Sequence, residues 1–352
     1  MKNRPKTLVI LSPAFPEDEA ATTWLPAHQL FVKALKRNFP DCNIIVLTIL
    51  YPDYISTYTW NDIRVTSFNG ISRRKWKRIS LWWDIWQELR RIRRNNNLIG
   101  LFSFWCGECA LIGTYFGKFY SVRHRCWISG LDAKKDNKLV KVIRPRPQEL
   151  VAMSGFLRQT FSESHGIEPR YVIPNGIDSQ LFSTENSQER VFDIMGAGSL
   201  ELFKQYHLFA QVVASLRSQF PEIKAIHCGN GPERENLQIL IKKSGIEHNL
   251  SLLGEKSHPE VLQFMQRTKI LLHTSAYEGF STVCLEALYA GAQVISFCDP
   301  MDKKVPQWHI VQTVEEMIGK ATEILRQPRL EYKPVLLHSM DEVAKLVMEL
   351  FL

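Results

Sequence analysis

The feature that most limits what this chain can become is an alternation of short aliphatic runs with helical stretches, carried through twice. Runs rich in β-branched and aliphatic residues stand at Thr7–Leu11, Asn43–Thr48, Leu98–Phe104, Arg125–Ile128, Glu149–Met153 and Tyr171–Ile173, with amphipathic stretches such as Leu25–Phe39 and Trp76–Arg94 between them. A polar stretch, Ser183–Arg190, interrupts the pattern. It restarts at Val191–Met195 and continues with Lys224–His227, Leu250–Leu253, Ile270–His273 and Gln293–Ser296. After the first of these, Phe209, Val212, Val213, Leu216 and Phe220 recur at helical spacing. Strands separated by helices argue for parallel sheets covered on both faces. Such sheets bind ligands where loops leave the carboxyl ends of the strands.

The expected fold class is therefore α/β, with two Rossmann-like domains whose parallel sheets face a central cleft. The first takes residues 1–182 and the second 190–335, and the amphipathic segment 338–352 is placed to return to the first. The 352 residues accommodate two domains of roughly 150 each.

No run approaches the roughly 18 apolar residues of a membrane span. The most apolar stretch, Leu98–Gly107, meets Glu108 at once, and the run Thr7–Leu11 is too short for a secretory leader. A cytoplasmic location is expected. Seven cysteines, at 42, 106, 109, 126, 228, 284 and 298, form an odd and dispersed set rather than a disulfide framework. Cys106-Gly-Glu-Cys109 stands without a second pair and reads as core. The net charge is +8, and residues 73–94, with nine cations against Asp84 and Glu88, hold seven of those charges. There Ile79, Trp82, Trp83, Trp86 and Leu89 are expected to share one face. The segment suits an anionic membrane surface; the alternative is a helix packed on its sheet with solvated charges. No nucleic-acid motif accompanies it, so no nucleic acid is expected as a partner.

The most informative stretch is Ser275-Ala-Tyr-Glu-Gly-Phe-Ser-Thr-Val-Cys-Leu-Glu286-Ala-Leu-Tyr-Ala-Gly-Ala-Gln-Val. A strand ends, a loop carries Glu278, Gly279 and Phe280, and a helix begins near Ser281. Gly279 lets backbone approach a ligand closely. The first amides of a helix have no internal partner and suit a pyrophosphate. Glu286 is the only charged residue between Gly279 and Cys298, and an apolar run holds a carboxylate only if it is hydrogen-bonded. Adjacent ribose hydroxyls would serve, as would a neighbouring cation of the chain.

This Glu-x7-Glu, followed by Ala-Gly-x-x-Val-Ile, resembles the retaining glycosyltransferases of family 4 (glycosyl transferases group 1), which have the two-domain GT-B fold. Val172-Ile-Pro-Asn-Gly-Ile-Asp178, Gly198-Ser-Leu-x3-Lys204, Cys228-Gly-Asn-Gly-Pro232 and Leu252-Leu-Gly254 resemble further family elements in the expected order. The resemblance covers most of 150–300. It implies that Glu286 binds the ribose of a UDP- or GDP-sugar and that Glu278 contacts the transferred sugar. It places Gly279, Phe280, Ser281, Thr282, Ser199, Gly229 and Gly254 around the nucleotide and diphosphate, and Lys204 against the phosphates. A cation there would stabilise the leaving diphosphate.

Three positions depart from the family pattern. Ser199 stands where Arg is usual, the loop Pro13–Thr23 has no glycine, and Ser129-Gly-Leu-Asp132 replaces a histidine-containing strand end. Asp132 and Glu108 are the candidates for contact with a saccharide or lipid-linked saccharide acceptor on the first domain. No Asp-x-Asp stands at a strand end, so neither metal nor cofactor is expected, and Glu17-Asp18-Glu19 reads as a solvated loop. The expected activity is hexosyl or N-acetylhexosaminyl transfer to a hydroxyl in cell-surface polysaccharide or glycolipid synthesis. A nucleotide-sugar epimerase or hydrolase, and a non-catalytic GT-B partner protein, are the alternatives.

Overall fold

The computed structural model describes residues 4–73, 76–182, 189–299, 304–328 and 330–352. Arg74 and Lys75 of the basic segment, and most of the polar stretch 183–190, lie outside the described residues. The chain divides into two compact units, Met1–Gly176 with His338–Leu352, and Ile177–Leu337. The division falls a few residues before the 182 expected from sequence. Phe182 lies with the second unit, where its ring meets Tyr289 edge-on at 4.8 Å.

The first unit holds β1 (Lys6–Ala14), α1 (Pro26–Asn38), β2 (Asn43–Tyr51), β3 (Ile55–Trp60), β4 (Ile63–Phe68), α2 (Lys77–Asn95), β5 (Asn97–Phe104), α3 (Glu108–Tyr120), β6 (His124–Ile128), α4 (Leu139–Ile143), β7 (Leu150–Ala152), α5 (Gly155–His165) and β8 (Tyr171–Val172). Its eight strands lie in the order β3-β4-β2-β1-β5-β6-β7-β8. Among the described residues only β3 and β4 pair antiparallel, and the sequence reading missed this hairpin. Its turn, Asn61-Asp62, has both residues at positive φ (45° and 59°), the geometry that matches the twist of two-residue hairpins.

On one face, Leu81, Ile85, Leu89 and Ile92 of α2 pack with Ile112 and Phe116 of α3 over Val9, Leu11, Ile45 and Leu47. The buried stripe of α2 is thus not the tryptophan face expected from sequence. Trp82 and Trp86 lie on its flank, and Ile79 and Trp83 are 58% and 61% exposed. On the sheet, Phe31 of α1 meets Phe102, Phe104 and Trp127. The last helix of the chain, Met340–Glu349, packs on α1. Arg37 Nη2 donates to Asp341 Oδ1 at 2.6 Å, and Phe351 sits so close to Gly100 that a Cβ there would lie 2.1 Å from its ring.

The second unit holds β9 (Phe192–Ala197), α6 (Tyr206–Arg217), β10 (Ala225–Cys228), α7 (Arg234–Lys243), β11 (Leu250–Gly254), α8 (His258–Gln266), β12 (Thr268–His273), α9 (Thr282–Tyr289), β13 (Gln293–Ser296), β14 (Trp308–Ile310) and α10 (Val314–Leu325), so that Met340–Glu349 is α11. All its strands are parallel, in the order β11-β10-β9-β12-β13-β14. The short β14 was not foreseen. Phe209, Val212, Val213 and Leu216 of α6 pack with Ile194, Ile270 and Ile295 in one core, the face their spacing predicts. From β9 the chain runs outward to β11, then returns to lay β12 on the other side of β9. The loops after β9 and β12 therefore flank the point where strand order reverses, the place where open α/β sheets hold ligands.

Candidate functional site

The loops that leave this reversal point are stitched together by one side-chain and one backbone hydrogen bond. Thr274 Oγ1 donates to the Lys204 carbonyl at 2.8 Å, and the Ala276 N–H donates to the Phe203 carbonyl at 3.0 Å. This fixes the short turn Leu202–Lys204 against the loop after β12 and brings two residues 74 apart in sequence together. Lys204 Nζ lies 2.8 Å from Glu278 Oε2, with the two side chains 19% and 17% exposed. His273 Nε2 lies 3.2 Å from the same oxygen and 3.2 Å from Ser275 Oγ. Burial alone would raise the Glu278 pKa. The His273 hydrogen bond and the Lys204 charge outweigh it and hold the carboxyl at about 2.

Gly279, Phe280, Ser281 and Thr282 carry the chain from Glu278 into α9, with Ser281 as the N-cap residue in an extended conformation. Its Oγ is buried and makes no well-formed hydrogen bond among the described residues; the Cys284 thiol lies beside it. One turn further, Glu286 is buried, and its Oε1 lies 2.7 Å from His258 Nε2, both side chains under 10% exposed. His258 begins α8, which Ser257 and Glu260 start with a reciprocal capping box. Burial pulls the His258 pKa down, and the Glu286 charge and hydrogen bond more than reverse this, so the net shift is upward.

Glycines line the same edge. The Gly198 N–H donates to the Cys228 carbonyl at 2.9 Å and the Gly229 N–H to the Gly254 carbonyl at 2.8 Å. A Cβ on Gly229, at φ 140°, would lie 2.0 Å from the Gly198 oxygen, so the strand ends close up only with glycine there. Ser199 follows Gly198 on this edge, with its carbonyl taken by the Glu201 N–H at 2.9 Å.

Every second-unit residue singled out from sequence thus stands at the carboxyl edge of one sheet or in the helix that leaves it. His258 and His273 were not singled out, although each bonds one of the two acids. Asp132 and Glu108 belong to the other unit. Asp132 accepts backbone N–H bonds from Cys106, Gly130 and Ser129 at 2.8, 2.8 and 3.2 Å. Glu108 pairs with Arg78 of α2 and accepts from Trp82 Nε1 at 3.3 Å. Glu17, Asp18 and Glu19 each have separate partners: the Tyr51 and Tyr54 hydroxyls, the Ala20 and Ala21 amides, and the Asn61 amide. Among the described residues no group of three or more His, Cys, Asp or Glu side chains is placed to hold a metal ion. Cys106 and Cys109 are buried free thiols.

The fold is GT-B. A sucrose-phosphate synthase from Thermosynechococcus elongatus superposes with a TM-score of 0.68 at 13% identity, covering 99% of this chain and 95% of that one. The Anabaena protein HepE, in complex with UDP and glucose, superposes with a TM-score of 0.65 at 14% identity over 98% and 95%. Residues 179–305 match the family described as Glycosyl transferases group 1. The gpi3 subunit of phosphatidylinositol N-acetylglucosaminyltransferase from Schizosaccharomyces pombe is 26% identical over 214 residues, 58% of this chain and 47% of that one. The chain spans about half the length of the curated relatives it matches.

Proposed function

We propose that this chain is a retaining, metal-independent glycosyltransferase of family 4 that needs no cofactor. It moves a hexose or N-acetylhexosamine from a UDP- or GDP-sugar to the hydroxyl of a saccharide or lipid-linked saccharide, in building a cell-surface polysaccharide or glycolipid. The observation that carries the reading is the Lys204–Glu278 pair at the strand-order reversal, with Glu286 buried in the following helix. The UDP and glucose bound to HepE favour UDP.

Transfer breaks the bond between the anomeric carbon and the phosphate oxygen, leaving a nucleoside diphosphate. Lys204, close to where that charge builds, lowers the barrier. Glu278, kept ionised by His273 and Lys204, accepts hydrogen bonds from sugar hydroxyls. Glu286 gives Oε1 to His258 and turns Oε2 to the ribose. Backbone amides of the turn before α9 receive the diphosphate. The acceptor oxygen attacks the anomeric carbon from the face the leaving group departs, and its proton passes to the departing phosphate. The acceptor lies on the first unit, at the cytoplasmic face of a membrane.

Thermal-shift and calorimetric titration with UDP, GDP, ADP and a panel of their sugars tests this. One nucleotide class is expected to raise the melting temperature, since ligand at 100 times Kd stabilises by about 2.7 kcal/mol. No binding by any of them removes the reading. Donor turnover that yields free or epimerised sugar whatever the acceptor assigns a hydrolase or epimerase instead.

A further inference from the structure

Helix α2 presents two unlike faces. At 100° per residue, Leu81, Ile85, Leu89 and Ile92 fall in one arc and all are buried. Trp76, Ile79 and Trp83 fall in an arc on the opposite side and are 85%, 58% and 61% exposed. The pole farthest from the core, ordinarily polar, thus carries two indoles and an isoleucine. The strip widens sideways, where Trp86 meets Phe119 of α3 edge-on at 5.9 Å and Phe119 is itself 72% exposed.

Cations frame this strip. The two acids of α2 are neutralised, Asp84 by Arg73 and Glu88 by Arg64 and Arg91. Lys77, Arg90 and Arg94 have no carboxylate partner among the described residues. Arg90 and Arg94 continue the outward arc of Trp76 and Trp83 about two and three turns beyond Trp83. Side chains of one helix thus offer an apolar wedge flanked by unneutralised positive charge.

We propose that this outward face of α2 docks the protein on an anionic lipid surface. Trp76, Ile79 and Trp83, with Phe119 beside them, enter the boundary between headgroups and acyl chains, and Lys77, Arg90 and Arg94 lie at phosphate level. The wedge spans about 10 Å of helix, narrow for the roughly 800 Å² that each partner of a stable protein complex buries. Indoles beside cations match the composition of membrane interfaces. The proposal deepens the lipid-acceptor part of the proposed function, and its test uses neither donor nor acceptor.

The full chain is sedimented with vesicles of phosphatidylcholine alone and of phosphatidylcholine with phosphatidylglycerol. The wild type is expected to bind the anionic vesicles, with indole fluorescence quenched by brominated acyl chains. Trp76→Ala, Ile79→Ala and Trp83→Ala together should lower the partition coefficient at least about 30-fold on both compositions. Arg90→Gln with Arg94→Gln should lower it about 25-fold on anionic vesicles only, about fivefold per cation. Melting temperature and nucleotide affinity should stay near wild-type values in both variants, since Trp76, Ile79, Trp83 and Arg94 are exposed and Arg90, half-buried, bonds Gln87 of its own helix. Wild-type protein left in the supernatant, or a triple variant that partitions like wild type, overturns the proposal. So does a wild-type dimer that the triple variant dissolves. Vesicle binding without nucleotide binding would sink the transferase reading alone; the reverse outcome would sink only the docking face.

Discussion

Each sheet has one point where strand order reverses, and the two points are furnished differently. In the second unit, between β9 and β12, the acids bond other side chains: Glu278 to Lys204 and His273, and Glu286 to His258. In the first unit, in the loops after β1, β5 and β6, Glu17 meets tyrosine hydroxyls and Glu108 pairs with Arg78, while two other acids bond backbone. Asp132 closes three N–H groups, and Asp18 closes two. His28 of α1, beside these loops, is kept neutral: burial pushes it down to about 3, and it stacks on Phe104 at 3.8 Å beside Trp105. A bond between side chains can be exchanged for a ligand while the backbone stays put, whereas a carboxylate that organises a loop cannot let go without loosening it. The difference separates Glu278 and Glu286, whose partners are side chains, from Asp132 and Asp18, whose charge organises backbone.

The sharpest break with this contrast would come from Lys204→Met. Loss of the cation beside the leaving group should cut kcat by about 100- to 1000-fold, with a lower melting temperature as well, since Glu278 loses a partner that holds its pKa down. Steady-state turnover of the donor checks it; turnover within a few-fold of wild type would show that the pair is structural. The complementary substitution is Asp132→Ala. It strands buried amides, so stability should fall by about 3 kcal/mol in chemical denaturation while nucleotide affinity stays within about twofold. A selective loss of acceptor use in a protein of normal stability would instead mean that Asp132 meets substrate. Smaller is the effect of Glu286→Gln, which should weaken nucleotide binding about tenfold, near 1.4 kcal/mol, by calorimetry.

The unequal furnishing was only partly legible in the sequence. The strands showed because each is a short aliphatic run between helical periods. The β3–β4 hairpin was hidden because Ile55–Trp60 is mostly Ser, Thr and Tyr with few buried positions. The acids of the second unit stood out as charges in apolar surroundings, but their partners did not. His258 reaches Glu286 across 28 residues only because α8 packs on α9. His273 is close to Glu278 in sequence, yet spacing does not say where the end of a strand points its side chain. In the first unit Asp132 looked as exposed to ligand as Glu278 does, since sequence cannot show that backbone amides already surround it. The α2 face was misjudged for a related reason. Three tryptophans are the bulkiest residues of that helix, but the choice of buried arc was made by Leu81, Ile85, Leu89 and Ile92, smaller side chains that fit against the sheet.

The smallest expected effect tests the Glu286–His258 pair through pH. The ordinary histidine pKa is 6.5, and His258 is shifted above it in the folded chain. Folding therefore favours the protonated form, so the pair's contribution is complete below about pH 6.5 and is lost as pH rises through the raised value. His28, His124 and His227 act oppositely, since burial lowers each to about 3 and their protonation opposes folding as pH falls below 6.5. Those terms are common to wild type and Glu286→Gln and cancel in the difference. Without the carboxylate, burial alone governs His258, and its pKa should drop below the ordinary value. Relative to wild type, the variant should therefore gain stability as pH rises from about 6 to 8, by at most about 1.4 kcal/mol per pH unit for one proton. Denaturation midpoints measured across that range supply the comparison. Parallel pH profiles for the two proteins would mean that His258 is neutral beside Glu286, and the site would hold one ion pair rather than two.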